Sequence, residues 1–147
     1  MRDAEILRKT LPGQWRVLAT TFPMWLSGRR LEPAFTYEPL PGEGLALRDT
    51  VSYRTRSGAR KRIEGVDRFD AGSGLFTWRG RGLLKVLASR WRVVHLSDDR
   101  ELVVLTFERS LVTPAGLDVI GRGAQDRPGG RPLPLPDEEI AGLRWLG

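Results

Sequence analysis

The side chains able to do chemistry are few in this chain, and their types limit what chemistry is on offer. There is one histidine, His95, and no cysteine. Without thiols there is no disulfide, no thiolate metal site and no cysteine nucleophile. A metal centre needs clustered ligands, and one imidazole among scattered carboxylates does not supply them. Neither a metal nor another cofactor is therefore expected. Ser73, in Gly72-Ser73-Gly74, lacks the Gly-x-Ser-x-Gly frame of a nucleophile elbow. Gly121-Arg122-Gly123 reads as a strand end and not as a phosphate loop. What remains for moving a proton is a short set: Asp67, His95, Tyr37 and Tyr53. Glu64, Asp67 and Arg68 can form a polar group inside the fold, although such residues more often pair at a strand end. No catalytic residue is assigned.

The aromatic residues carry the stronger signal. Trp25, Phe35, Tyr37, Tyr53, Phe69, Trp78 and Trp91 fall on inward faces of the strands below or on one long loop. A packed core explains each singly. Together they exceed what the floor of a small barrel needs, and two of them are tyrosines with a polar handle. Apolar walls with a few oriented polar groups are how a ligand cavity is lined. The expected ligand-binding set is therefore Met24, Trp25, Leu26, Phe35, Tyr37, Tyr53, Phe69, Trp78, Trp91 and His95.

The elements that must position these residues are short strands. Asp3 caps a first helix that ends at Leu11-Pro12-Gly13. Strand one runs from about Trp15 to Phe22 with Trp15, Val17, Ala19 and Thr21 on the inner face. A long loop, Pro23 to Pro33, follows; its Met24, Trp25 and Leu26 must cover something apolar. The loop is read as a lid over the open end, with packing on a second copy, as in a homodimer, as the alternative. Strands two to five are placed at 34–40, 45–56, 60–69 and 75–79, separated by Pro41-Gly42-Glu43-Gly44, Ser57-Gly58 and Asp70-Ala71-Gly72-Ser73-Gly74. Strand three puts Leu47, Val51 and Tyr53 inward. Strand four leaves the inner face open between Ile63, Gly65, Asp67, Phe69 and the alternate set Glu64, Val66, Arg68. An apolar run at 83–87 precedes strand six (90–96), whose parity puts Trp91, Val93 and His95 inward. Strand seven (101–108) is apolar on both faces, so its outer face must be covered. Strand eight is 117–122. A connector rich in glycine and proline, 123–136, leads to a last helix, 137–147, capped by Asp137, with a stripe of Ile140, Leu143 and Leu146 as that cover.

Eight strands at hairpin spacing, with no parallel-sheet signal and no repeat, point to an all-β antiparallel barrel or sandwich. The chain of 147 residues is one domain, 40% hydrophobic and 29% charged, which suits a globular protein. The N-terminus has no signal-peptide pattern and no run is long enough to span a bilayer, so a cytoplasmic setting is expected. The net charge is +6, but the cations are nearly all arginine, scattered among acids, and a nucleic-acid partner is not expected.

At the head of strand one, Gly13-x-Trp15 lets the chain turn sharply and sets a large ring under the sheet. The order of motifs that follows resembles a lipocalin, or more broadly a calycin of the bacterial cytoplasm. A short turn precedes Gly13-x-Trp15, and a long loop follows strand one. Asp98-Asp99 sits in the turn between strands six and seven, and strand eight ends Asp118-Val119-Ile120-Gly121-Arg122. The resemblance implies an eight-stranded up-and-down β-barrel over 13–122, between a short N-terminal turn or helix (1–12) and a C-terminal helix. It further implies that Arg122 lies across Trp15. An eight-stranded barrel is the smallest whose interior holds one small ligand. The function expected is binding of a small hydrophobic molecule, a lipid, fatty acid or similar, without turnover. Three rivals stand beside it: a calycin-type isomerase or cyclase, a haem carrier of the nitrobindin kind using a barrel histidine, and a filled barrel serving as a protein-interaction module.

Overall fold

The computed structural model of the chain describes residues 1–82, 88–111 and 113–147; the apolar run at 83–87 lies outside them. Helix α1 (Ala4–Thr10) begins where the Asp3 carboxylate accepts the Ile6 N–H at 3.2 Å. Glu5 in its first turn and Arg8 and Lys9 in its last complement the helix dipole. Strands follow as β1 (Gly13–Thr20), β2 (Arg30–Pro39), β3 (Ala46–Thr55), β4 (Arg60–Asp70), β5 (Leu75–Gly80), β6 (Ala88–Leu96), β7 (Leu102–Phe107) and β8 (Gly116–Gly121). Each pairs antiparallel with the next. The first half of β1 pairs with β2, Trp15 opposite Phe35, and its second half with β8, which closes an eight-stranded lipocalin-like barrel. Among the described residues, no helix is long and apolar enough to cross a membrane.

Between β1 and β2 the sequence predicts one loop, Pro23 to Pro33. The chain instead forms a helical turn, α2 (Pro23–Leu26), started by Pro23 at a position where its missing N–H costs nothing, and β2 begins at Arg30.

Two apolar layers form. Inside the barrel Trp15, Val17, Phe35, Leu47, Phe76, Trp91, Val93, Leu105 and their neighbours make the main core, over Leu7 and Leu11. Outside it, Leu18, Ala19, Leu102, Val104, Leu117 and Val119 make a second cluster, under Leu133, Leu135, Ile140, Leu143 and Trp145. The outer face of β7 is thus covered, as its apolar sequence demands, but not by a helix over 137–147. Helix α3 spans only Asp137–Ile140, with Pro136 and not Asp137 at its cap and no side-chain capping bond. Beyond it the chain extends into β9 (Arg144–Trp145), which pairs with β1 at Ala19 and Thr20. The Leu146 N–H bonds the Leu18 carbonyl at 2.7 Å. Leu146 accordingly leaves the expected stripe and packs against the inner core.

Two bulges correct the parity of the sequence reading. In β1 the register shifts between Val17 and Ala19. An extra residue sends two successive side chains to one face. Val17 is inside, Leu18 and Ala19 are both outside, and Thr20 opposes Asp118. In β6 the register shifts between Val93 and His95. Val93 and Leu96 face the core, and His95 pairs with Val104 of the outer cluster.

Candidate ligand cavity

The closed end is built on the opening motif. Gly13 takes φ 120°, a conformation glycine reaches freely. Trp15 is fully buried and its indole N–H bonds the Leu11 carbonyl at 2.8 Å. The Arg122 guanidinium lies 4.1 Å from the ring centre. Its two terminal nitrogens bond the carbonyls of Pro12 and Thr10, each at 2.7 Å. One arginine thereby joins the end of β8 to the end of α1 and covers the tryptophan.

Above this floor the interior is filled by rings. Phe76 stacks on Trp91 at 4.2 Å and 12°, and Tyr37 stacks on the same indole at 5.7 Å and 24°. Phe69 packs on Phe76 at 4.7 Å. Beyond the layer of Trp91 and Tyr37 the packing opens into a cavity of about 360 Å³. Phe35 of β2, Val51 of β3, Ile63 of β4, Trp78 of β5 and Phe107 of β7 line its walls. Met24 and Trp25 of α2, with Phe22 before them, line it on the side of the first connection.

Six of the expected residues therefore meet at this cavity: Met24, Trp25, Phe35, Tyr37, Trp78 and Trp91. The other four are placed elsewhere. Leu26 is 40% exposed on the outer side of α2. Tyr53 packs against Trp25 at 5.9 Å under the Arg30 guanidinium, beside the cavity but not on its wall. Phe69 belongs to the filled layer on Phe76. His95 is turned to the outer face by the bulge in β6, which removes the histidine that a haem or proton-transfer reading would use inside the barrel.

Three buried carboxyls distinguish this interior. Asp49, Asp67 and Asp118 are 6%, 0% and 1% exposed. Asp49 and Asp118 line the cavity, and Asp67 lies behind it, accepting the Trp91 indole N–H at 3.0 Å. Burial raises the pKa of Asp67 well above the ordinary carboxylate range, and the neighbouring Asp49 charge raises it further. Burial likewise raises the neighbouring Asp49, to about 6. Asp118 is pushed up to about 7 by burial, against the hydroxyl of Thr20, which donates to it and pulls the other way. Desolvation, then the charges of all three carboxyls, raise the Tyr37 phenol well above its usual pKa. Asp49 Oδ1, Asp118 Oδ1, Trp25 Nε1 and Trp78 Nε1 are buried without a hydrogen-bond partner. Unpartnered buried polar atoms are costly and rare.

The sequence held signals for these acids. Asp49 sits between Leu47 and Val51 on the alternation that assigned both inward. Asp118 lies two residues before inward-facing Ile120. The open face of strand four resolves the same way: Gly65 and Asp67 are buried and Glu64 is not. Gly65 has a packing reason, since a Cβ there would lie 2.3 Å from Trp78 Nε1 and 2.6 Å from the Arg79 carbonyl. The absent side chain is what lets the Trp78 indole lie flat on β4.

No protein-family model matches the chain, and no curated protein matches it. Solved structures do. Lobster apocrustacyanin A1 is 13% identical with a TM-score of 0.58, over 82% of this chain and 65% of that one, just under two thirds of its length. The siderocalin Ex-FABP, described as having dual ligand specificities, is 14% identical with a TM-score of 0.58, over 79% and 76%. Apocrustacyanin C2 is 14% identical with a TM-score of 0.58, over 85% and 71%. At these identities the likeness is one of fold: a lipocalin-like barrel.

Proposed function

We propose that this protein binds a small, largely hydrophobic ligand inside the barrel, and that it does so without turning it over. The observation that carries the reading is the cavity of about 360 Å³, walled by aromatic rings and holding four buried polar atoms that lack a partner. Its size falls within the range of small-molecule pockets, about 300–1,000 Å³. A filled interaction module would show neither feature. The siderocalin likeness adds that this fold is used for binding in at least one neighbour. The buried Asp49 and Asp67, both with raised pKa values, keep a proton-transfer reading as the second choice, since two neighbouring carboxyls form an acid–base unit where a substrate reaches them. The expected cytoplasmic setting is carried into this reading as a proposal, open to cell fractionation.

Helix α2 acts as the lid in this account. Trp25 is 5% exposed within its own chain, so its ring is covered without a second copy. Titration with N-phenyl-1-naphthylamine, a neutral apolar fluorophore, should give saturable one-to-one binding with energy transfer from the protein's tryptophans. Trp25→Ala should weaken it by about tenfold, the loss of a large aromatic contact. Unsaturable, weak enhancement in the wild type would reject binding in the cavity. Unchanged affinity in the variant would remove α2 from the site.

A further inference from the structure

We propose that the ligand of this cavity carries a protonated amine and that Asp118 receives it, an inference that rests on the binding reading above. The first ground is geometric. Asp118 lines the cavity at 1% exposure, one of its oxygens faces no donor, and its known partner is the Thr20 hydroxyl. The second ground is the absence of a counter-charge among the described residues of the lining. The other buried titratable groups of this interior are the Tyr37 phenol from β2, Asp49 from β3 and Asp67 from β4, all acidic or neutral. Among the described residues lining the cavity there is no arginine, lysine or histidine. A buried carboxylate without a cation is strongly disfavoured, so a cation brought by the ligand would supply what the described lining lacks. The third ground is the wall. Trp25, Trp78, Trp91 and Tyr37 all line the same space, and aromatic surfaces attract cations once water is excluded.

A carboxylate-bearing ligand fits this interior poorly, since its head would meet like charge. Among the described residues it would find a cation at the rim beside Met24, where Arg30 lies 5.2 Å over the Tyr53 ring with Nη1 3.7 Å from Met24 Sδ. The two orientations are separable. The unpartnered Trp25 and Trp78 indole N–H groups donate, so they favour a hydrogen-bond acceptor elsewhere on the ligand body and do not compete for its amine.

The test uses one apolar body with three heads: 4-phenylbutylamine, 4-phenyl-1-butanol and 4-phenylbutyrate, titrated calorimetrically at pH 8. The amine should bind about tenfold or more tightly than the alcohol, and the carboxylate weakest. Asp118→Asn should lower amine affinity about tenfold or more while leaving the alcohol within about twofold. The variant is expected to fold, since a neutral amide is easier to bury than a charge; if it does not, the wild-type ranking of the three heads decides alone. Alcohol binding with no preference for the amine would overturn this inference and leave the binding reading standing. A carboxylate that binds best, and is lost in Arg30→Ala, would place the head at the rim and overturn it as well. Amine affinity that survives Asp118→Asn but falls in Asp49→Asn would overturn the assignment to Asp118. Failure of all three compounds and of N-phenyl-1-naphthylamine would overturn both readings.

Discussion

Trp15→Ala should destabilise the protein by about 3–5 kcal/mol, the usual cost of truncating a fully buried large aromatic. Three losses act together. The indole leaves a void at a floor where Leu7, Leu11 and Trp15 have no exposure. The Leu11 carbonyl loses the N–H that satisfies it. The Arg122 guanidinium loses the ring face 4.1 Å beneath it, an interaction of about 0.5–2 kcal/mol, yet stays tied to Pro12 and Thr10. Trp15→Phe keeps most of the volume and should cost markedly less. Urea unfolding followed by circular dichroism measures both. A Trp15→Ala protein within about 1 kcal/mol of wild type would mean that the floor is not organised around this residue.

The second large effect is a fall in stability as pH rises from the ordinary carboxylate range, 3.8, to about 7. Asp118 has a native pKa of about 7 against an ordinary 3.8, because burial disfavours its charge. Below about pH 4 it is protonated in both states. Between about 4 and 7 the native state still holds a proton that the unfolded chain has released, so stability drops with each increment of pH. Above about 7 the native group ionises too and its contribution levels off. At about 1.36 kcal/mol per pH unit, the gap is worth up to about 4 kcal/mol. Asp49, raised to about 6, and Asp67, raised well above 3.8, act with the same sign. The exposed Asp70 and Asp99 have lowered pKa values from their turn hydrogen bonds, so their contribution is lost only as pH falls below the ordinary range. Urea midpoints should therefore decline from pH 5 to pH 8, and Asp118→Asn should flatten the slope and raise stability at pH 8. A wild-type profile that is flat or rising over that interval would contradict the buried placement of Asp118.

The floor was legible in the sequence because its signals are local. Gly13-x-Trp15 and the arginine closing strand eight are short motifs, and their contact follows once the strands close in order. Strand alternation carried Phe35, Tyr37, Trp78 and Trp91 to the correct face for the same reason. His95 failed because a bulge is one inserted residue with no compositional mark, and it reverses every assignment beyond it. The bulge in β1 was hidden in the same way, since Val17, Leu18 and Ala19 are all apolar and suit either face. Asp49 and Asp118 stand at inward positions of the alternation and are buried, but hydrophobicity alone discards the few polar side chains that a binding cavity keeps. The end of the chain read as a helix because Ile140, Leu143 and Leu146 keep helical spacing. The β1 edge at Ala19 and Thr20 offers backbone partners that Arg144 and Trp145 take instead.

The claim that a ligand enters the barrel is tested most directly by filling the space from within. Val51 lines the cavity on β3, between Phe35 and Ile63 on the paired strands. Val51→Trp adds an indole where the account places the ligand. Binding of N-phenyl-1-naphthylamine should fall by about a hundredfold or become undetectable, with strand content by circular dichroism unchanged. Binding of wild-type affinity in a folded Val51→Trp protein would contradict the account, because the probe would then sit somewhere other than the cavity.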